Sequence, residues 1–312
     1  MNGDGTVTAG QVLFANVEAE DSPRGVGGFQ TLAYSRALLP EALLGDIEPR
    51  FHLATDSAQY KRCFFTTTSG WAVAVQCTAI PAPDRFGRAG RYLAHALVCP
   101  PAAFATLDAD PFILFAARHW HSEITPVIAA ARSGDLPTVL LTSTPPPGAP
   151  VLPAPLLTAL ALAALRAPDA QREILALIGD PAAVEQALAA VWPLLPRACR
   201  AACSFDSAFF GGNPVATPYW AVGLPTAPTN PRYHVLELRT GRDEHPRLPD
   251  TPAEMLVTDA IAAGLSPLLA AHREEAYAAC AGASAATLPA PLQALLPPPP
   301  RSGWGSRLFG KS

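Results

Sequence analysis

The stretch from Cys63 to Thr78 reads CFFTTTSGWAVAVQCT and contains two runs rich in β-branched, aromatic and apolar residues. The runs, 63–67 and 71–78, lie on either side of Thr68-Ser69-Gly70. Two β-prone runs separated by a short turn that contains glycine predict a β-hairpin. The prediction of the fold therefore starts from this hairpin.

More strands and helices are predicted on both sides of the hairpin. Apolar runs and their alternation predict strands over 11–18, 92–99 and 138–142, and helices over 40–44 and 111–118. The N-terminal region is therefore predicted to be mixed and rich in strands.

The second half of the chain is richer in helix. Its pattern predicts helices over 156–166, 181–195 and 251–280, and strands over 173–178, 219–224 and 233–239. Pro267 should break or kink the last helix, because proline removes a backbone donor. The fold class is predicted to be α+β: a strand-rich N-terminal region followed by a helix-rich α/β region, with no topology specified.

The composition changes along the chain at a proline-rich stretch, PPPGAP, at 145–150. Proline runs cannot continue a helix or a central strand and favour extended structure. The predicted organisation is a flexible N-terminus (1–10), a mixed α+β domain (11–144), a Pro-rich linker (145–154), a helix-rich second domain (155–296) and a flexible Pro-rich tail (297–312).

The overall composition excludes several classes of protein. The chain has 312 residues, 49% of them hydrophobic and 15% charged, so disorder along its whole length is not expected. Of its 22 basic residues, 20 are arginine, and they are spread along a chain with a formal charge of −4. Because no basic cluster is present, nucleic acid is not expected as a partner.

The six cysteines indicate buried thiols, because they lie in apolar runs and form no CxxC pair. The N-terminus lacks the basic and apolar regions of a secretory leader. The most apolar stretch, 151–165, contains two prolines and falls short of the ~20 residues that cross a membrane. We expect a cytoplasmic protein that does not enter the membrane.

Two patterns resemble metal sites. Residues 2–7 resemble the middle of a calcium loop, but Gln11 stands where a bidentate glutamate is needed. His119, His121 and Glu123 alternate and would form a zinc half-site on a strand. The preceding residues favour a helix, and no further ligand is evident nearby, so a solvated helix end is the preferred interpretation and no metal is expected.

Motifs for bound cofactors are also missing. The sequence contains no GxSxG, GxxxxGK[ST] or GxGxxG pattern, and no cofactor is expected. Gly25, Gly27 and Gly28 form a glycine-rich turn without the lysine and hydroxyl that hold phosphate and magnesium. The pattern predicts a tight loop that needs positive φ angles.

The strongest local candidate is the stretch 84–95, DRFGRAGRYLAH. Arg85, Arg88 and Arg91 could hold an anionic partner by forked hydrogen bonds. A structural interpretation is also open, in which Asp84 accepts from the loop backbone or pairs with Arg88, and His95 is a hydrogen-bonded, half-buried residue. The candidate partner- or anion-binding residues are Asp84, Arg85, Arg88, Arg91 and His95.

Short motifs along 11–207 resemble the bacterial GTPase-associated proteins that carry the type 2 N-terminal domain. They are GGFQ at 27–30, Ser35 and Leu38-Leu39; Gly87-Arg88, Gly90 and YLAH at 92–95; and, in what looks like the family's middle region, Leu195-Pro196, Arg200 and CSFD at 203–206. The resemblance implies a cytoplasmic component of multi-gene bacterial systems centred on a GTPase, acting in regulated signalling or defence. It implies no active-site residues.

These observations lead to one main hypothesis. The chain is expected to be a non-enzymatic regulatory subunit that docks a GTPase, and one of the three loop arginines could act as an arginine finger on the partner's GTP. The alternative is an enzyme for a small anionic substrate, with His95 as acid or base and Arg88 as anion clamp. A scaffold without a GTPase link, marked by a large apolar patch, is a third possibility.

Geometry separates the first two hypotheses. A catalytic His95 would face a concave pocket beside Arg88. A structural His95 would be enclosed by core residues with both ring nitrogens satisfied.

Overall fold

The computed structural model describes residues 6–142, 151–168, 174–210 and 218–296. Within these residues the strands are β1 (Thr6–Val17), β2 (Gly28–Tyr34), β3 (Tyr60–Thr66), β4 (Ala72–Ala79), β5 (Tyr92–Cys99), β6 (Val139–Thr142), β7 (Ile174–Ile178), β8 (Phe205–Asp206), β9 (Ala221–Leu224), β10 (Tyr233–Glu237) and β11 (Arg242–Asp243). They form one sheet in the order β11-β10-β7-β9-β8-β3-β4-β5-β1-β2, and β6 pairs with the start of β1.

The α-helices of the described residues are α1 (Leu44–Ile47), α2 (Pro101–Thr106), α3 (Pro111–Phe115), α4 (Ile124–Ala131), α5 (Ala154–Leu165), α6 (Pro181–Val191), α7 (Arg197–Arg200), α8 (Pro252–Ala262), α9 (Ser266–Ala271), α10 (Arg273–Cys280) and α11 (Ala290–Gln293). The longer ones, α5, α6 and α8, belong to the second half of the chain. The predicted α+β class is confirmed, including the change from a strand-rich to a helix-rich region.

The predicted hairpin is present. Strands β3 and β4 pair antiparallel from Tyr60 opposite Thr78 to Thr66 opposite Ala72. Strand β5 has the predicted bounds and pairs with β4 along its whole length. The hairpin and β5 therefore form the centre of the antiparallel half of the sheet.

Three predicted helices are shorter in the structure. The helix predicted over 111–118 ends at Phe115, where the chain turns and the indole nitrogen of Trp120 donates to the oxygen of Leu114. The helix predicted over 181–195 ends at Val191 and is followed by a 3-10 turn that contains Pro193. The region 251–280 is broken into α8, α9 and α10, and Pro267 lies in the first turn of α9, where its missing donor does little harm.

The antiparallel and parallel halves of the sheet meet at β8. This strand runs antiparallel to β3 and parallel to β9. The ammonium of Lys61, on β3, lies 2.6 Å from the Asp206 carboxylate, and both side chains are buried. The pair satisfies two charges that would be costly to bury alone.

Hydrophobic side chains cover both faces of the sheet. One face packs against the helices of the second half, with Phe64, Leu160 and Trp192 in its core. The other face packs against the segment 38–53, with Ile47 and Phe51 in its core. The two sequence segments thus share a sheet and a core, while the division into two domains stays a prediction. The calcium-like residues 2–5, the prolines at 145–150 and the tail at 297–312 lie outside the described residues.

None of the six cysteines, all of which lie within the described residues, forms a disulfide. Four are buried as predicted, and Cys199 and Cys280 are half-buried. Among the described residues, no helix combines the length and the apolar composition that crossing a bilayer requires.

Candidate functional site

The loop between β4 and β5 is organised by one carboxylate, that of Asp84. Its Oδ1 accepts hydrogen bonds from the backbone N–H groups of Phe86 at 2.9 Å and Arg88 at 2.8 Å, and its Oδ2 accepts from Nε of Arg88 at 2.6 Å. Gly87, with a φ of 77°, allows the chain to turn around this carboxylate. Both structural roles predicted for Asp84 are confirmed.

Asp84 is 7% exposed, so it lies beneath the loop that it organises. Its partial desolvation acts to raise the pKa of the carboxyl, but the hydrogen bonds from Arg88 and Phe86 outweigh this and hold the pKa below its usual value. The carboxylate is therefore ionised at neutral pH, and it keeps the loop in one shape.

The same loop presents three neighbouring side chains to solvent: Arg85, Phe86 and Arg88, which we call the arginine–phenylalanine cluster. Phe86 is 66% exposed, and the guanidinium carbons of Arg85 and Arg88 lie 4.8 Å and 5.1 Å from its ring centroid. An aromatic face attracts cations at these distances. The cluster is thus an apolar surface flanked by two positive charges.

The two arginines of the cluster differ in how much of the guanidinium group is paired within the protein. Arg85 pairs with Glu18 at 3.4 Å and with Glu20 at 4.0 Å. Arg88, whose side chain is 71% exposed, uses only Nε, which donates to Asp84. Its two terminal nitrogens have no protein partner among the described residues, so they can donate to another molecule.

Arg91, the third candidate arginine, turns back toward the protein. Its Nη2 donates to the backbone oxygen of Asn16 at 3.0 Å, and Nη1 donates to that of Pro83 at 3.5 Å. Arg91 therefore fastens the loop to the end of β1, which positions the cluster.

His95 lies in the middle of β5 and is fully buried. Its Nδ1 accepts from the backbone N–H of His121 at 3.1 Å, so the proton is on Nε2, which donates to Oε1 of Gln11 at 3.1 Å. Burial, reinforced by the nearby His121 and His119, lowers the pKa of His95 to about 3. The ring is enclosed, neutral and satisfied, which is the geometry expected of a structural histidine, while Arg88 points to solvent from the preceding loop.

The segment containing His119, His121 and Glu123 is not the strand of a half-site, and it does not continue the helix that ends at Phe115. It is a loop before α4, with Glu123 in extended conformation at the position preceding the helix. The backbone N–H of His121 donates to Nδ1 of His95, 26 positions earlier in the chain, a contact that sequence spacing does not reveal. Within residues 6–142, 151–168, 174–210 and 218–296, no group of three or more His, Cys, Asp or Glu side chains could hold a metal ion.

The glycine-rich turn lies next to the Asp84 loop. Gly25 and Gly28 have φ angles of 68° and 121°, as predicted for a tight turn, whereas Gly27 does not have a positive φ angle. The two loops are joined by the backbone N–H of Arg85, which donates to Glu18 at 3.0 Å. Val26 and Phe29 of the turn are 64% and 46% exposed, so they add apolar surface to this end of the sheet.

These apolar members of the site were not predicted from the sequence. Phe86 lies inside the stretch 84–95, but the charge pattern of that stretch indicates only its charged neighbours. The signal was an aromatic residue between arginines and beside a glycine, since a large apolar side chain in a polar turn has no core to enter.

A buried titratable group outside this loop was also missed. Glu185, on α6, lies 3.2 Å from Nη1 of Arg62 and 3.4 Å from the hydroxyl of Ser207. Burial raises its pKa to about 7, against the opposing effect of Arg62. Glu185 connects α6 to β3, and it contributes to packing rather than to the loop site.

The chain matches no model of a known protein family and no curated protein. The resemblance to GTPase-associated proteins therefore rests on the short motifs in the sequence alone.

Proposed function

We propose that the chain is a non-enzymatic regulatory subunit that docks a partner GTPase in a bacterial signalling or defence system, in the cytoplasm. The proposed docking surface is supported by one observation: Phe86 is exposed between Arg85 and Arg88, on a loop that the buried Asp84 holds by hydrogen bonds. The nature of the partner is drawn from the family resemblance.

The cluster has the properties of an energetic centre for binding. Aromatic and arginine side chains dominate the binding energy of protein interfaces. A loop that is already held by the Asp84 hydrogen bonds loses little conformational freedom when a partner binds, so less of the interaction energy is spent on ordering it. Removing Phe86 or Arg88 should therefore weaken binding without unfolding the chain.

Arg88 is the best placed of the three arginines to act as an arginine finger. Its free terminal nitrogens form a planar fork that suits phosphate oxygens, while Asp84 fixes the other side of the guanidinium. Arg85 is paired with two glutamates, and Arg91 is turned toward the backbone.

The docking proposal is tested by affinity capture with the full chain as bait. Lysate from the native host is supplied with GDP or with a non-hydrolysable GTP analogue, and captured proteins are identified by mass spectrometry. We expect a GTPase to be captured, and Phe86→Ala and Arg88→Ala to lower its yield roughly tenfold. Leu248→Ala and Arg242→Ala, which change exposed residues elsewhere, are matched controls. If no GTPase is captured in either nucleotide state, or if the loop variants capture it as well as the controls, the proposal is wrong.

The finger role is measured on the purified partner at saturating complex. Removal of a true finger should slow GTP hydrolysis by on the order of 10³ or more, and Arg88→Lys should not restore the rate, because lysine lacks the fork. A rate unchanged in Arg88→Ala would limit the loop to docking.

A further inference from the structure

Four neighbouring strands of the sheet run parallel and end at one edge. Strands β10 and β9 flank β7, and β8 follows β9. From β7 the chain passes through α6 to β8, two positions along the sheet, and then returns to β9, which is next to β7. From β9 it crosses to β10, on the opposite side of β7. In open sheets of this kind, ligands bind beyond the carboxyl ends of the strands where the direction of winding changes.

A cavity of about 380 Å³ lies at this edge. Its walls are the residues that follow three adjacent parallel strands: 179–181 after β7, 207–210 after β8, and Pro225 after β9. Residues of the loop before β3 complete it. The volume is in the range of pockets that hold small molecules.

The walls of the cavity are mainly apolar and carry one charged side chain. The apolar lining includes Phe209, Phe210, Leu224 and Pro225, and Phe210 is 61% exposed. The charged side chain is Asp180, and the described lining contains no basic side chain.

Only one of the two carboxylate oxygens of Asp180 takes part in the helix cap. Its Oδ1 caps α6 by accepting from the N–H of Ala183 at 2.8 Å, while Oδ2 has no partner among the described residues. A free carboxylate oxygen in a lining that also contains aromatic rings favours a hydrogen-bond donor or a cation as its partner.

We propose that this cavity binds a small molecule that carries a flat apolar ring and an amine. The ring packs against Phe210, and the protonated amine donates to Oδ2 of Asp180. The described lining of this cavity contains no residue of the arginine–phenylalanine cluster, and the proposal does not depend on a GTPase partner.

Three compounds with one ring system test the proposal on the full chain. Tryptamine carries the ring and an ammonium, indole carries the ring alone, and indole-3-acetate carries a carboxylate in place of the ammonium. Binding is followed by isothermal titration and by ligand-observed NMR. Tryptamine should bind at least roughly tenfold more tightly than indole, and indole-3-acetate should bind most weakly.

Two substitutions locate the site. Asp180→Asn keeps the helix cap, because asparagine caps as well as aspartate, but it removes the charge and should cost tryptamine roughly tenfold while leaving indole unchanged. Phe210→Ala should weaken all compounds that bind. Asp259→Asn and Leu248→Ala make the same kinds of change at exposed positions elsewhere and should have no effect.

Two results would overturn the proposal. One is the absence of saturable tryptamine binding up to about 10 mM, a limit chosen because compounds of this size bind weakly. The other is an affinity for indole-3-acetate equal to that for tryptamine, or an affinity for tryptamine that Asp180→Asn leaves unchanged.

Discussion

The Asp84 loop and the cluster around Asp108 are built from the same components, one carboxylate and several arginines. In the loop, Asp84 is buried and Arg88 is exposed. Around Asp108 the order is reversed: the carboxylate is partly exposed, while the side chain of Arg200 is only 1% exposed. The burial of the arginine, and not its pairing with an acid, distinguishes the two arrangements.

All three guanidinium nitrogens of Arg200 donate hydrogen bonds within the protein and stabilise the fold. It donates to Oδ2 of Asp108 at 2.9 Å and to three backbone oxygens, those of Leu195, Trp192 and Asp108, at 2.7 to 2.9 Å. Arg197 and Arg273 bind the same carboxylate. This cluster joins the turn after α2 to α7 and α10. An arginine whose three guanidinium nitrogens all donate within the protein stabilises the fold. An arginine with free nitrogens, such as Arg88, remains available to a partner.

The largest expected effect is that of Arg200→Ala. It would remove the donor from the backbone oxygens of Leu195, Trp192 and Asp108, which costs about 3–5 kcal/mol of unfolding free energy. Chemical denaturation measures this loss, and Arg200→Lys should recover only part of it, because lysine cannot replace the fork. Arg242→Ala, at an exposed position, should change stability by less than about 0.5 kcal/mol. A cost below about 1 kcal/mol for Arg200→Ala would contradict the locking role.

The second largest expected effect is the pH dependence of the unfolding free energy that arises from the Asp108 carboxyl group. Its partial burial acts to raise the carboxyl pKa, but the hydrogen bond from Arg197 and the charges of Arg200 and Arg273 outweigh this, so the folded pKa lies below the usual value. A lowered folded pKa gives a contribution that is complete above the unfolded pKa of about 3.9 and is lost as the pH falls through the folded pKa.

The measurement is the difference in unfolding free energy between the wild type and Asp108→Asn, followed from pH 7 to pH 3. We expect about 1–3 kcal/mol at pH 7 and a decline below about pH 4. The difference is needed because other acids with lowered pKa, such as Glu254, also respond to acid. A difference that is constant over this range would show that the ion pairs of Asp108 contribute nothing.

The contrast between the two clusters also explains what could be predicted from the sequence. The bonds of Asp84 reach residues two and four positions away, so the loop could be recognised in a short stretch. The partners of Asp108 are 89, 92 and 165 positions away in the chain, and no local pattern connects them. Arg200 entered the sequence analysis only through the family resemblance, which gave no reason for its burial.

The same distinction holds for the fold. The hairpin and β5 could be predicted because their alternation and turn residues are local. Strand β8, with only two residues, is too short to show a period, yet it joins the two halves of the sheet. Strand β2 was missed because it begins inside the glycine-rich turn and only its second half is buried.

The smallest expected effect on stability is that of Arg88→Ala, and it tests the comparison most sharply. The Arg88 side chain is exposed and holds one bond to Asp84, whereas the bond from the Arg88 backbone to the same carboxylate would survive the substitution. The denaturation midpoint should therefore equal that of the wild type, since exposed ion pairs contribute little.

Hydrogen exchange at the amides of Phe86 and position 88 completes this test. Both amides donate to Asp84, so Arg88→Ala should leave their protection unchanged, whereas Asp84→Ala should abolish it. Because the Asp84 carboxylate holds these two amides without the Arg88 guanidinium, the arginine side chain is free to act on another molecule. Lost protection in Arg88→Ala would mean that the guanidinium is needed to build the loop, and its role would then be that of Arg200.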